Sequence, residues 1–151
     1  MMEYVMNMNM NTSILGTTIS ALALMTSISS HAASITTHDD LNVASINGKN
    51  VKFEKLVGLQ EGATLIELTY HDLFQDHADD SGHWVRSDPL YLKLNLSANQ
   101  QYHLTPPDID NVDEARAFLA QPQVHIHVNG QSKQTVNLMT QSQLLTQLLI
   151  D

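Results

Sequence analysis

Leu90-Tyr91-Leu92-Lys93-Leu94-Asn95-Leu96 places a leucine at every second position against Tyr91, Lys93 and Asn95. Alternation of this kind puts one set of side chains on each face of a strand, so these residues predict a β-strand buried on one side and wet on the other. Such a strand needs a second apolar layer to cover it. Upstream, Thr64 to Tyr70 repeats the pattern, with Ile66, Leu68 and Tyr70 on one side and Glu67 and Thr69 on the other. Gly58 and Gly62 bracket a loop before it. Earlier still, Leu41–Ile46, Asn47-Gly48 and Lys49–Phe53 read as a hairpin, because Asn-Gly readily takes the positive φ angles of a type I′ turn. Pairing across that turn sets Ala44 opposite Val51 and Asn42 opposite Phe53, which predicts an inward face of Ala44, Ile46, Val51 and Phe53.

Downstream, Ser97-Ala98-Asn99 turns the chain into a strand over residues 100–105, where Tyr102 and Leu104 point inward and Pro106-Pro107 ends the ladder by removing donors. A helix follows. Asp110 is its expected cap, Asp113 and Glu114 suit the positive end of its dipole, Val112, Ala115 and Leu119 recur at helical spacing, and Pro122 stops it. Val124-His125-Ile126-His127-Val128 and a strand through Val136 and Leu138 flank a second Asn-Gly, at 129–130. A three-residue loop that includes Gln131 aligns Val124 with Val136 and Ile126 with Gln134, and we favour that register with a bulge. Leu144, Leu145, Leu148 and Leu149 make a narrow apolar stripe on a tail that docks, dimerises or frays. Together these segments predict a mainly β fold of about seven strands, a small antiparallel β-sandwich with one short helix inserted and a C-terminal amphipathic helix.

The 151 residues suit one domain, 42% apolar and 15% charged, with a net charge of -9 that repels phosphate and gives nucleic acid no counterion-release advantage. The chain has no Cys, which removes disulfides, thiolate ligands and a Cys nucleophile. Ile14 to Met25 is an apolar core of signal-peptide length, too short to span a bilayer, so stable membrane insertion is not expected. Ser30 and Ala32 stand two apart as a cleavage signal requires, which puts the cut after Ala32 or Ala33. The leader departs from type in having no Lys or Arg. The expected organisation is therefore a signal peptide at 1–32, a β-sandwich domain at 33–139 and a helical tail at 140–151, with the mature protein in the periplasm.

Three constellations carry the residue types of chemistry. The stretch from Tyr70 to Trp84 packs carboxylates and imidazoles into one loop, and His71, Asp76, His77, Asp79, Asp80 and His83 are its candidate ligands for calcium or zinc. Its spacing does not fit an EF-hand, and an acidic loop whose Asp side chains cap turns is the simpler reading. His125-x-His127 puts two imidazoles on one strand face but supplies no third ligand. His83, Ser87 and Asp88 are the residue types of a hydrolase triad without a G-x-S-x-G elbow, and Asp88-Pro89 reads as a turn leading into a strand. No enzyme activity and no cofactor are expected. Trp84, the only tryptophan, is read as a core or loop anchor rather than a sugar platform.

Ile46-Asn47-Gly48-Lys49, Leu59 to Gly62 leading into Leu65 to Tyr70, the acidic loop, Val85-Arg86-Ser87-Asp88-Pro89-Leu90, Tyr102 to Pro107 and Glu114 to Pro122 follow one another in an order that resembles the YccT-like family of exported Gram-negative proteins. The resemblance covers about residues 36–130. It implies a signal peptide, a periplasmic location and no recognised activity, and one member type is described as an inhibitor of curli synthesis. The partner so implied is an envelope or amyloid-subunit protein, met by an exposed strand edge that caps a growing amyloid. The rival expectation is a periplasmic divalent-metal-binding module on the loop at 71–83. Mass spectrometry of the periplasmic fraction tests the export reading: a chain beginning at Ala33 or Ser34 is expected, and an uncleaved chain retained inside the cell contradicts it.

Overall fold

The computed structural model describes residues 32–52, 55–75 and 81–150. Among these residues, eleven strands and two helices follow in the order β1 (Ala33–Thr37), β2 (Leu41–Ile46), β3 (Lys49–Asn50), β4 (Lys55–Leu59), β5 (Gly62–Phe74), β6 (His83–Arg86), β7 (Leu90–Leu96), β8 (Gln101–Thr105), α1 (Val112–Ala120), β9 (Gln123–Val128), β10 (Ser132–Asn137), β11 (Met139–Thr140) and α2 (Gln141–Ile150). One sheet runs β10-β9-β8-β1-β4 and the other β11-β7-β5-β2-β3, with β6 paired to the far end of β5. Buried side chains of both sheets form a single apolar core, as a sandwich requires. The first sheet is mixed, since β1 lies parallel to β8 and antiparallel to β4.

β5 organises the second sheet. Its inward row of Ile66, Leu68 and Tyr70 is at most 1% exposed, and it pairs with β2 on one side and β7 on the other. Leu68 faces Val43 across one ladder and Leu90 across the other. The expected inward face of the first hairpin is corrected here. Leu41, Val43 and Ile46 point inward, and the register shifts between Val43 and Ser45, so Ala44 sits in the irregularity. A bulge shifts the alternation by one residue, and period-two counting cannot see it. Val51 is only partly buried against the core, and Phe53 lies outside the described residues.

Both Asn-Gly turns form with positive φ at Asn47, Gly48, Asn129 and Gly130. Each is also pinned to a neighbouring strand. The Asn47 N–H donates to the Leu65 carbonyl and its side-chain oxygen accepts from the Leu65 N–H, both at 2.8 Å. Asn129 does the same with Gln101, at 2.8 and 2.9 Å. Asparagine thus fits here both because it tolerates the left-handed region and because its amide continues the ladder. Beyond the second turn Ser132 pairs with Val128, Gln134 with Ile126 and Val136 with Val124, the register of a three-residue loop with Gln131 as the extra residue.

The residues between Gly58 and Gly62 form a shorter link than expected, because Lys55–Leu59 is itself a strand. α1 is capped one residue later than expected. The Asn111 side chain accepts from the Glu114 N–H at 2.9 Å while the Glu114 carboxylate accepts from the Asp110 N–H at 2.8 Å, a reciprocal cap that displaces Asp110 from the capping role. The helix buries Ala115 and Phe118, with Val112 and Leu119 partly covered, and Phe118 meets Tyr70 with ring centres 5.0 Å apart. α2 docks through Leu144 and leaves Leu145, Leu148, Leu149 and Ile150 exposed. Among the described residues no helix is long and apolar enough to cross a membrane.

Because Leu68 is fully enclosed by both ladders, Leu68→Ala is expected to lower unfolding stability by about 2–5 kcal/mol in urea titration, while Lys93→Ala on the exposed face stays within about 0.5 kcal/mol.

Candidate functional site

Inward placement of Val124 and Ile126 on β9 forces His125 and His127 onto the outer face of the first sheet. The neighbouring strand carries Tyr102 and Leu104 inward and therefore His103 outward. The register sets His103 directly against His127, and their rings lie 6.5 Å apart at 45°. Counting along one strand could not find this partner, because only the pairing of β8 with β9 brings it near. His103 Nδ1 is 2.8 Å from the Thr36 hydroxyl, and His125 Nδ1 is 2.9 Å from that of Thr135. Two of the three imidazoles, His103 and His125, are thus tied to hydroxyls. Among the described residues no group of three or more His, Asp or Glu is arranged to hold a metal ion.

This face ends at β10, an edge strand of the sheet. Lys133, Gln134, Thr135 and Asn137 are exposed and Val136 is half-buried. The Leu138 N–H donates to the Pro122 carbonyl at 2.8 Å, in step with the pairs Val136–Val124, Gln134–Ile126 and Ser132–Val128. In an antiparallel ladder the bonded groups alternate, so the N–H and C=O groups of Lys133, Thr135 and Asn137 point away from β9 into open space. Other edges are shorter or disturbed. β3 and β11 have two residues each, β4 contains Gly58 at φ 77°, and α1 packs beside β6. β10 has no Pro and no bulge within its ladder, and Lys133 is its one charged side chain, so a single lysine is all that guards this edge.

The acidic loop is only partly in view. Asp76, His77, Asp79 and Asp80 lie outside the described residues. His71 and His83 stand in the two strands that frame the loop. His83 pairs with Phe74, and His71 is three residues from Phe74, so the two imidazoles project from opposite faces of the β5–β6 ribbon. Gly82, at φ 74° and with no room for a Cβ beside Leu73, allows the chain to return tightly against β5. The triad types are not gathered into a site. Ser87 Oγ accepts the Tyr70 N–H at 2.8 Å and the Ser87 N–H donates to the Tyr70 carbonyl at 2.9 Å, which gives the serine a structural task at the strand end. His83 lies at the far end of β6 and Asp88 is exposed. Tyr70 is held protonated well above the usual phenol range by its burial and then by the nearby Asp72 and Asp40 carboxylates. Trp84 corrects the expected anchor role, being 56% exposed on the outer face of the ribbon.

A family profile described as "Uncharacterized protein conserved in bacteria (DUF2057)" matches residues 34–150. A UPF0319 protein of Shewanella oneidensis is 26% identical over 110 residues, covering 70% of this chain and 49% of that relative. A UPF0319 protein of Shewanella baltica is 25% identical over 112 residues, covering 71% and 49%. The chain spans about half the length of the curated relatives it matches. No solved structure gives a significant match.

The imidazole face has a pH signature. His125 binds its proton less readily than a free imidazole, first through desolvation and then through Lys133 and His127, with Asp108 opposing. The unfolded chain therefore takes up this proton first as pH falls past 6.5, so stability present above that value is lost on acidification. The unfolding midpoint is expected to drop between about pH 7.5 and about pH 5, and by less in His125→Gln. An identical drop in both proteins contradicts the assignment.

Proposed function

The chain belongs to the family of uncharacterized bacterial proteins described as DUF2057, and from that premise we propose that it is an exported, non-enzymatic module that binds an envelope or amyloid-subunit protein along the edge of β10. The observation that carries this reading is the free hydrogen-bonding edge of β10, three residues of which present paired donors and acceptors outward. An extended segment of another chain can add there as a further strand, main-chain bonds giving affinity and side-chain fit giving selectivity. Amyloid grows by the same addition of strands at open edges. The resemblance to the YccT-like family makes a curli subunit the occupant of choice, and inhibition of curli assembly the resulting function.

Capping differs from co-assembly in what the second face offers. Strand addition at β10 leaves the rest of the sandwich behind it, with its opposite edge at β4 interrupted by Gly58 and a net charge of -9 on the whole chain. A bound end is then a poor template for the next subunit, and like charge keeps capped ends apart. Export fits the burial of β1. Ala33 is fully buried and pairs with Leu59, so a cut after Ala32 leaves that strand whole, whereas a cut after Ala33 removes a core side chain.

Thr135→Pro isolates the edge, because it removes an N–H that points away from β9 and no ladder bond. Mature protein added to polymerising curli subunit is expected to lengthen the lag and slow growth, and Thr135→Pro to weaken that effect by about tenfold with stability changed by less than about 1 kcal/mol. Thr135→Val, which loses only the hydroxyl bond to His125, is expected to inhibit like the parent. An unchanged lag and rate with the parent protein removes the reading, and equal inhibition by Thr135→Pro moves the contact away from β10.

A further inference from the structure

Trp84 is the single tryptophan and stands more than half exposed where a folded protein normally hides so large a ring. The ribbon explains its position. Tyr70 and Phe74 point inward, so His71 and Leu73 point outward from β5, and the register places Arg86 beside His71 and Trp84 beside Leu73. The Arg86 guanidinium lies 5.3 Å from the centre of the indole ring, and the His71 imidazole lies 6.4 Å away and nearly parallel, at 15°. Among the described residues no carboxylate is within ion-pair distance of Arg86. A cavity of about 560 Å³ opens alongside, with His71 and Arg86 in its wall together with His38, Asp39, Asn42 and Ser87, while Trp84 stands outside that wall.

We propose that this surface binds an acidic sugar ring, a pyranose bearing a carboxylate, and so gives the protein a glycan-binding site separate from β10. The chemistry divides between the two parts. An indole face attracts the C–H face of a pyranose, which is apolar on that side and ringed by hydroxyls on its rim. Those hydroxyls need donors and acceptors around the stack, and the adjoining wall is polar. Arg86, with no carboxylate partner among the described residues, supplies a planar fork, which matches a carboxylate with two parallel hydrogen bonds. An apolar peptide side chain would instead seek an enclosed pocket, and this surface is open with hydrophilic flanks. The overall charge of -9 opposes an anionic ligand, and so does Asp39 in the same wall; screening at physiological ionic strength removes only charges more than about 8 Å away, so the preference for the acid rests on its direct paired bonds to Arg86.

The sole indole is its own reporter. The intact chain is titrated with tri-galacturonic acid and, as the neutral control, with maltotriose, while tryptophan emission is recorded. A saturable emission change with the acidic sugar is expected, about tenfold weaker with the neutral one and reduced by added salt. Arg86→Gln is expected to erase the preference for the acid while its unfolding midpoint stays that of the parent. Trp84→Phe, followed by calorimetry, is expected to lose most of the binding to both sugars. The proposal is overturned by a flat titration, by equal affinity for the two sugars, or by an Arg86→Gln protein that still prefers the acid. Tighter binding of an acidic aromatic dipeptide than of the trisaccharide also overturns it, and points to a peptide instead.

Discussion

The inward row of β5 is the constraint on which the remaining packing rests. A thirteen-residue strand is long enough to take β2 and β7 along its first part and β6 along its last. Ile66, Leu68 and Tyr70 therefore serve both ladders and the second layer at once. Tyr70 extends the row to the helix through Phe118 and receives Ser87 at the point where β6 gives way to β7. Interior packing tolerates no gap of that size without loss of several contacts together, so the row holds the sheet, the helix and the ribbon in one arrangement.

From that arrangement follow two surfaces of different character. The first sheet, pressed on the core through Ile35, Leu104, Val124 and Ile126, turns imidazoles and hydroxyls outward and ends at β10. Its open side offers direction-specific main-chain bonds and little apolar area, which suits a partner that arrives as an extended strand. The ribbon extends β5 beyond the pairing of the main sheet and presents an indole beside a guanidinium. A rigid strand pair places these side chains with less freedom than a loop would.

Much of the fold was readable before pairing was known. The leucines of β7, the alternation of β5, both Asn-Gly turns and the register around Gln131 all rest on local rules of period and turn geometry, and all stand in the structure. What was unreadable involves relations between distant segments. The displaced residue at Ala44 breaks the count within a strand only because β5 demands it. β1 pairs in parallel with β8, 67 residues away, and four residues of β6 gain their strand character from β5 alone. The candidate sites divide in the same way. His125 and His127 were visible as a pair on one face, yet His103 joins them through register. Trp84 looked like an anchor because a lone tryptophan is usually covered, and its exposure comes from the outward parity of the ribbon. Asp76, His77, Asp79 and Asp80 lie outside the described residues.

Amide hydrogen exchange on β10, with and without a saturating amyloid subunit, tests the central claim most directly. The open-side amides of Lys133, Thr135 and Asn137 should exchange fast in the free protein and slow markedly on binding, while those of Gln134 and Val136, already bonded to β9, change little. Binding that leaves Lys133, Thr135 and Asn137 as fast as in the free protein would contradict strand addition at this edge.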